Sequence, residues 1–270
     1  MSRAATPGCK TDPVYTPPDY LSPSSIRTFI DCPQKFKINR FDQIKEPPTW
    51  HTHLGSFVHE VLEHLYKLPH DDRTVDSVKT LAGQLWADNS WEGKVLALAE
   101  PIGSVKDFKV AAFKNMVNLW TLEEPAETDL DEMELQVDAE VEGVRLRGII
   151  DRLAIDDEQS AVISDYKTGK VPNPRFKTED EIFFQLLAYA LMLEASDDVP
   201  TNRLELLYLT ESKKLDLEVT PVKLSIAKGT IVETKENLDA ACGTGDFHCN
   251  VTKLCDWCHY KKTNVCPAHK

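Results

Sequence analysis

Asp165 and Lys167 stand two residues apart in the run AVISDYK. Its apolar alternation reads as a strand, so both side chains leave the same face. Asp151 lies near the end of the preceding run, GIIDRLAI, and the polar turn DDEQS joins the two. Antiparallel pairing sets Asp151 beside Asp165 with Lys167 close by. Two carboxylates and an ammonium at a sheet edge are costly unless an ion or a substrate uses them. Carboxylates are hard oxygen ligands suited to Mg²⁺ or Mn²⁺. A lysine beside them can orient or deprotonate an attacking water and offset charge in a transition state. Taken alone, the same residues also fit a solvated edge pair and an ordinary Asp151–Arg152 surface salt bridge.

Two more groups can join them. In GSFVHEVLEHLY the apolar positions Val58, Val61, Leu62 and Leu65 leave Gly55, His59 and Glu63 on an adjoining strip. His59 is therefore either a ligand or a helix-surface histidine, and Gly55 would let another segment approach closely. Gln185 and Tyr189 are i, i+4 on the helix that follows the Lys167 strand and share one face, as active-site groups or as the polar edge of a core helix. At the C-terminus, LCDWCHYKKTNVCP holds Cys255, Cys258 and Cys266. A tetrahedral metal or a cubane cluster takes four protein ligands. Spacing alone leaves the fourth unidentified, with Cys249 a competitor, and leaves zinc and iron–sulfur both open.

The elements that must position these groups follow from period and punctuation. Ser22 reads as an N-cap with Pro23 at N1, and Pro33 stops that helix just after Cys32. Helical periods recur over Gly55–Tyr66, Val75–Trp86 and Val105–Trp120. Residues 134–167 read as a three-stranded meander, and Glu179–Glu194 as a strong helix. RLELLYLT and LDLEVTPV make a strand pair, and Leu224–Ala241 a last helix. The expected fold is mixed α/β (α+β), a central mixed sheet flanked by helices. Residues 1–20 read as a flexible leader and 21–270 as one domain: 21–122 mainly helical, 132–241 the sheet and its helices, 242–270 the cysteine-rich end.

With 270 residues and 41% hydrophobic content the chain can bury a sizeable core. It has no signal peptide and no membrane-spanning run, so a cytoplasmic location without membrane association is expected. Seven cysteines in that compartment point to metal or catalytic use rather than disulfides. A net charge of −13 weighs against nucleic acid, but the placement of the basic residues decides. Lys167, Lys170, Arg175 and Lys177 fall in one stretch, Lys35, Lys37 and Arg40 follow Cys32, and Lys261 and Lys262 lie between cysteines. Phe36, Phe176 and Tyr260 are interleaved as candidates to stack on the bases of a single strand. No Walker A pattern is present, so no motor is expected.

Six stretches in this order resemble the PD-(D/E)xK nuclease superfamily, in its RecB-like exonuclease branch. They are LSPSSIRTFIDCPQKFK, GSFVHEVLE, GIIDRL, ISDYKTG, QLLAYALML and the C-terminal cysteines, spanning Leu21 to Pro267. The resemblance implies a restriction-endonuclease-like core and Mg²⁺- or Mn²⁺-dependent hydrolysis of DNA phosphodiesters, with single strands or ends preferred. It implies His59, Asp151, Asp165 and the Tyr166 carbonyl as metal ligands, Lys167 as the catalytic lysine, and Gln185 and Tyr189 as substrate-contacting or supporting residues. Glu134 is a further acidic candidate. Where the family typically carries proline before its first acid, Ile150 precedes Asp151. Within the branch, CRISPR-associated exonucleases and AddB-type nuclease domains staple their ends with a [4Fe–4S] cluster, which implies Cys32, Cys255, Cys258 and Cys266 as the thiolates. A helicase, recombination or CRISPR-adaptation partner is implied alongside. The competing expectations are a non-catalytic DNA-binding scaffold of the same fold and a zinc-binding nucleic-acid accessory protein.

Overall fold

Thr49 and Thr178 each start a helix that carries candidate site residues. In the computed structural model, which describes residues 14–269, Thr49 caps α3 (Trp50–Tyr66) and Thr178 caps α7 (Glu179–Asp197). In both, the side chain of the third helical residue returns a bond to the cap amide, satisfying two orphan donors at once. The leader expected over residues 1–20 lies largely outside the described residues.

The chain divides into two compact units. Among the described residues, 47–229 form one, and 14–46 with 230–269 the other. The larger unit holds a five-stranded sheet in sequence order: β1 (Glu132–Val141), β2 (Val144–Ile155), β3 (Ala161–Lys167), β4 (Thr201–Tyr208) and β5 (Lys213–Glu218). Only β3 and β4 run parallel; the other neighbours are antiparallel. The mixed sheet and its meander match the sequence expectation. α7 is the crossover that a parallel β3–β4 pair requires.

Strand alternation then separates two faces. Tyr166 turns into a core built by α3, α4 (Val75–Asp88), α5 (Trp91–Leu96) and α6 (Val105–Val117). Val58, Val61, Leu62 and Leu65 of α3 are fully buried there, beside the rings of Phe57, Trp86, Trp91 and Phe108. Asp165 and Lys167, one residue either side of Tyr166, turn to the other face, where Gln185 of α7 meets Lys167. Gly55 allows the close approach expected of it: a Cβ there would lie 3.3 Å from Thr168 Oγ1.

The smaller unit contains α1 (Pro23–Asp31), α2 (Pro33–Arg40), most of α8 (Pro221–Thr244) and α9 (His259–Lys262). Ser22 caps α1 with Pro23 behind it, as its sequence dictates. The C-terminal segment is pinned to the corner between α1 and α2. Asn250 Nδ2 donates to the Ile30 and Asp31 carbonyls, both at 3.2 Å, the Gln34 amide donates to the His248 carbonyl at 3.1 Å, and Tyr260 Oη donates to the Ile44 carbonyl at 2.6 Å. Among the described residues no helix is long and apolar enough to cross a membrane.

Candidate active site

The β2–β3 register pairs Arg152 with Ser164, so the next residues inward, Asp151 and Asp165, come together. Their carboxyls stand close enough to influence each other's charge. β3 is a central strand, and Asp165 is 1% exposed. The Lys167 ammonium makes an ion pair with Asp165 Oδ2. From α3, His59 Nε2 donates to the Tyr166 carbonyl at 2.8 Å, and Nδ1 stands 3.1 Å from Asp151 Oδ2. The close ring makes His59 a member of this group rather than a free surface histidine.

Glu134 also arrives there. It sits at φ +53° and falls between the pairs Met133–Arg152 and Leu135–Ile150. A left-handed residue at such a break re-aims the side chain, as bulges do. Its carboxylate closes a group with His59 and Asp151 whose ligand atoms lie within 4.8 Å of one another.

The electrostatics are those of crowded carboxylates short of positive charge. Burial pushes the Asp165 carboxyl up to about 7 against the pull of the Lys167 ammonium, and Asp151 adds to the rise. Burial acts upward on Asp151 too, but the His59 contact and the positive charge of Lys167 help to outweigh it and its net displacement is downward. His59 moves upward: burial opposes its charged form, and the Asp151 hydrogen bond and the nearby acidic charges overcome that. Glu134 is raised by burial and by the neighbouring Asp151 and Glu63 carboxylates. Asp165 Oδ2 is buried without an aligned hydrogen-bond donor. The His59 imidazole and the Glu134 and Asp151 carboxylates gathered there fit a divalent cation, and Asp165 stands outside that group of three.

Behind the strands, Arg152 is fully buried and hence not a surface partner of Asp151. Its guanidinium lies between the rings of Tyr66 and Tyr166, 5.1 and 4.9 Å from their centroids, and Nη2 donates to both oxygens of Glu123 at 2.9 and 3.0 Å. Arg152 directly follows Asp151, and Tyr166 directly follows Asp165, so this packed stack holds both carboxylate-bearing strands from the rear. Of this stack only Tyr166, for its carbonyl, is a site candidate in the sequence; an arginine in a strand reads as exposed.

Gln185 and Tyr189 do share a face. Lys167 Nζ donates to Gln185 Oε1 at 3.3 Å, and Gln185 Nε2 donates to Tyr189 Oη at 3.3 Å. The remaining sequence candidates divide. Phe36 and Tyr260 are 3% and 1% exposed, so neither can stack on a base: both are core residues of the smaller unit. Phe176 is 83% exposed, held by a turn in which its amide donates to the Asn173 carbonyl at 2.9 Å. Lys170, Arg175 and Lys177 on the same loop form no ion pair among the described residues. Lys35, Lys37 and Lys261 are instead paired with Glu46, Asp42 and Asp256.

In the smaller unit, Cys32, Cys255, Cys258 and Cys266 line one cavity of about 660 Å³. Cys249 lines it as a fifth thiol, its Sγ 3.9 Å from that of Cys266. Every described cysteine is free. These sulfurs share one cavity, but among the described residues no three of them lie within 4.8 Å of one another.

No curated protein matches the chain. Among solved structures it is similar to a candidate exonuclease from Eubacterium rectale, with 12% identity over 90% of this chain and 88% of that one and a TM-score of 0.56, a likeness of fold. The structure of SSO0001, 14% identical over 92% and 96% of the two chains, superposes with a TM-score of only 0.37. The family model of the PD-(D/E)XK nuclease superfamily matches residues 20–267. With strands, acidic pair and lysine all inside that stretch, the chain belongs to the PD-(D/E)XK nuclease superfamily.

Proposed function

We propose that the protein is a metal-dependent DNA exonuclease of the RecB-like branch, with His59, Asp151, Asp165 and the Tyr166 carbonyl as metal ligands and Glu134 in reach of the same ion. The observation that carries this is the buried Asp165 oxygen without an aligned donor, beside Asp151, His59 and Lys167. A bound Mg²⁺ or Mn²⁺ would supply Lewis-acid stabilisation of the phosphoryl oxygens. Lys167 orients the attacking water and offsets charge developing on the phosphate. Gln185 holds the lysine by its amide oxygen. That amide can face only one way, because an ammonium donates and never accepts. Arg152, fixed by Glu123 and two tyrosine rings, keeps both strands in register during turnover.

A single strand or a DNA end is the substrate we favour. Phe176 offers a stacking face between Lys170, Arg175 and Lys177, and the loop runs from Lys167 back to α7. An acidic protein with a local run of unpaired cations beside its site suits a threaded strand better than a wrapped duplex. End-labelled single- and double-stranded substrates and closed circles, each with Mg²⁺ and Mn²⁺, test this. Rapid loss of linear single strands with intact circles is expected; equal cleavage of both refutes the end preference.

We further propose a structural [4Fe–4S] cluster on Cys32, Cys255, Cys258 and Cys266, supported by their common cavity. Binding thiolates more than 200 residues apart would couple cluster loss to unfolding. One observation favours zinc as a second reading. The 3.9 Å between Cys249 and Cys266 is close to the ~3.8 Å between two thiolates on a tetrahedral ion with 2.3 Å bonds. Iron with acid-labile sulfide in anaerobically purified protein supports the cluster; stoichiometric zinc in colourless protein overturns it. A cytoplasmic setting and a helicase, recombination or CRISPR-adaptation partner complete the proposal.

A further inference from the structure

Gly148 lies inside β2, paired with Val137 of β1, where a glycine weakens a strand and often marks a close approach. Here the approach is to the Tyr189 ring. A Cβ on residue 148 would lie 2.4 Å from Tyr189 Cε1, 3.3 Å from Cζ and 3.4 Å from Cδ1. The ring is 6% exposed and cannot swing into solvent. Its hydroxyl oxygen meets the Ile149 amide and Gln185, so the phenol lies along the strand over the space that glycine leaves. From there the contacts run Tyr189 Oη to Gln185 Nε2, then Gln185 Oε1 to Lys167 Nζ, then Lys167 to Asp165.

We infer that Gly148 is a positioning residue for Lys167, acting through the Tyr189 ring and the Gln185 amide. Ordinary contact begins near 3.4 Å, so a methyl at residue 148 drives the ring away by about 1 Å. The Gln185–Tyr189 bond is already 3.3 Å long and does not survive that, which frees the amide that holds the lysine. A misplacement of about 1 Å costs on the order of 10²-fold in rate.

The inference rests on Lys167 acting in strand cleavage, and a double-mutant cycle tests it. Tyr189→Leu removes Cε1 and Cζ, leaving nothing closer than ordinary contact. Gly148→Ala should lower kcat by roughly 10- to 100-fold in the wild-type background and by less than about twofold in the Tyr189→Leu background. Equal losses in both backgrounds, or a Gly148→Ala enzyme as active as wild type, overturn the inference and leave the nuclease reading intact. Wild type that cuts no DNA with either metal removes that reading instead. The contact is then judged with 3-fluorotyrosine: the ¹⁹F signal missing in Tyr189→Leu must move in Gly148→Ala, and an unmoved signal overturns it. If Gly148→Ala does not fold, folding of the Gly148→Ala, Tyr189→Leu pair supports the contact, and failure of both overturns it.

Discussion

Replacing Asp165 by asparagine should stabilise the metal-free protein while destroying its response to metal. The Asp165 carboxyl titrates near 7 rather than at its ordinary 3.8, so the folded state disfavours its charged form. For an acid raised in this way the penalty is absent below 3.8, grows as pH rises towards 7, and is constant above. At pH 8, with 1.36 kcal/mol per pH unit, it amounts to a few kcal/mol. Asparagine keeps the shape and removes the charge, so Asp165→Asn should unfold roughly 8–16 °C higher than wild type at pH 8, at about 2–4 °C per kcal/mol for a chain of this size. The gain should vanish as pH falls towards 4. Adding Mn²⁺ should raise the wild-type midpoint by ligand linkage and leave that of Asp165→Asn unmoved. Thermal unfolding by circular dichroism at pH 4, 6 and 8, with and without Mn²⁺, reads all of this. An Asp165→Asn protein less stable than wild type at pH 8, or one still stabilised by Mn²⁺, refutes the picture of a carboxylate kept buried for a cation.

Glu123→Ala should cost roughly 3–5 kcal/mol in urea unfolding, because it strands the buried Arg152 guanidinium; a loss under 1 kcal/mol would mean the stack behind the strands is dispensable. Phe176→Ala should weaken binding of a single-stranded oligonucleotide by about 1–3 kcal/mol, read by fluorescence anisotropy with EDTA present, and Phe176→Trp should restore it. Unchanged affinity would remove Phe176 from the substrate path. Cys32→Ser should lose iron and sulfide and melt at a lower temperature than wild type; full iron retention would exclude Cys32 as a ligand.

The parts of the site that sequence makes legible are those governed by regular period. The grouping of Asp151, Asp165 and Lys167 follows from strand alternation and a short turn, whereas the strip beside the α3 stripe leaves His59 open between ligand and surface residue, and only the family resemblance implies a ligand. Glu134 is less visible, because its left-handed backbone interrupts the alternation that would assign its direction. The strand glycine was the signal for Gly148, but its partner on α7 lies 41 positions along the chain and only tertiary packing brings them together. Arg152 reads as exposed from its residue type, yet two tyrosine rings and a distant glutamate make its burial tolerable. Phe36 and Tyr260 sit among lysines in sequence and look available to bases, whereas their rings fill the core of the smaller unit. The cysteine segment folds as short 3₁₀ turns and a one-turn helix, which carry no periodic signal, so Cys249 joins the others through packing alone.

The most direct test of the central claim compares wild type with Lys167→Ala on a 5′-labelled single-stranded oligonucleotide, measuring cleavage with Mn²⁺ and affinity with EDTA. Loss of the lysine should lower the cleavage rate by about 10²–10⁴-fold while the Kd changes by less than about threefold. A Lys167→Ala protein that cuts within about twofold of wild type, or a wild type that binds the strand and never cuts it, would contradict the account.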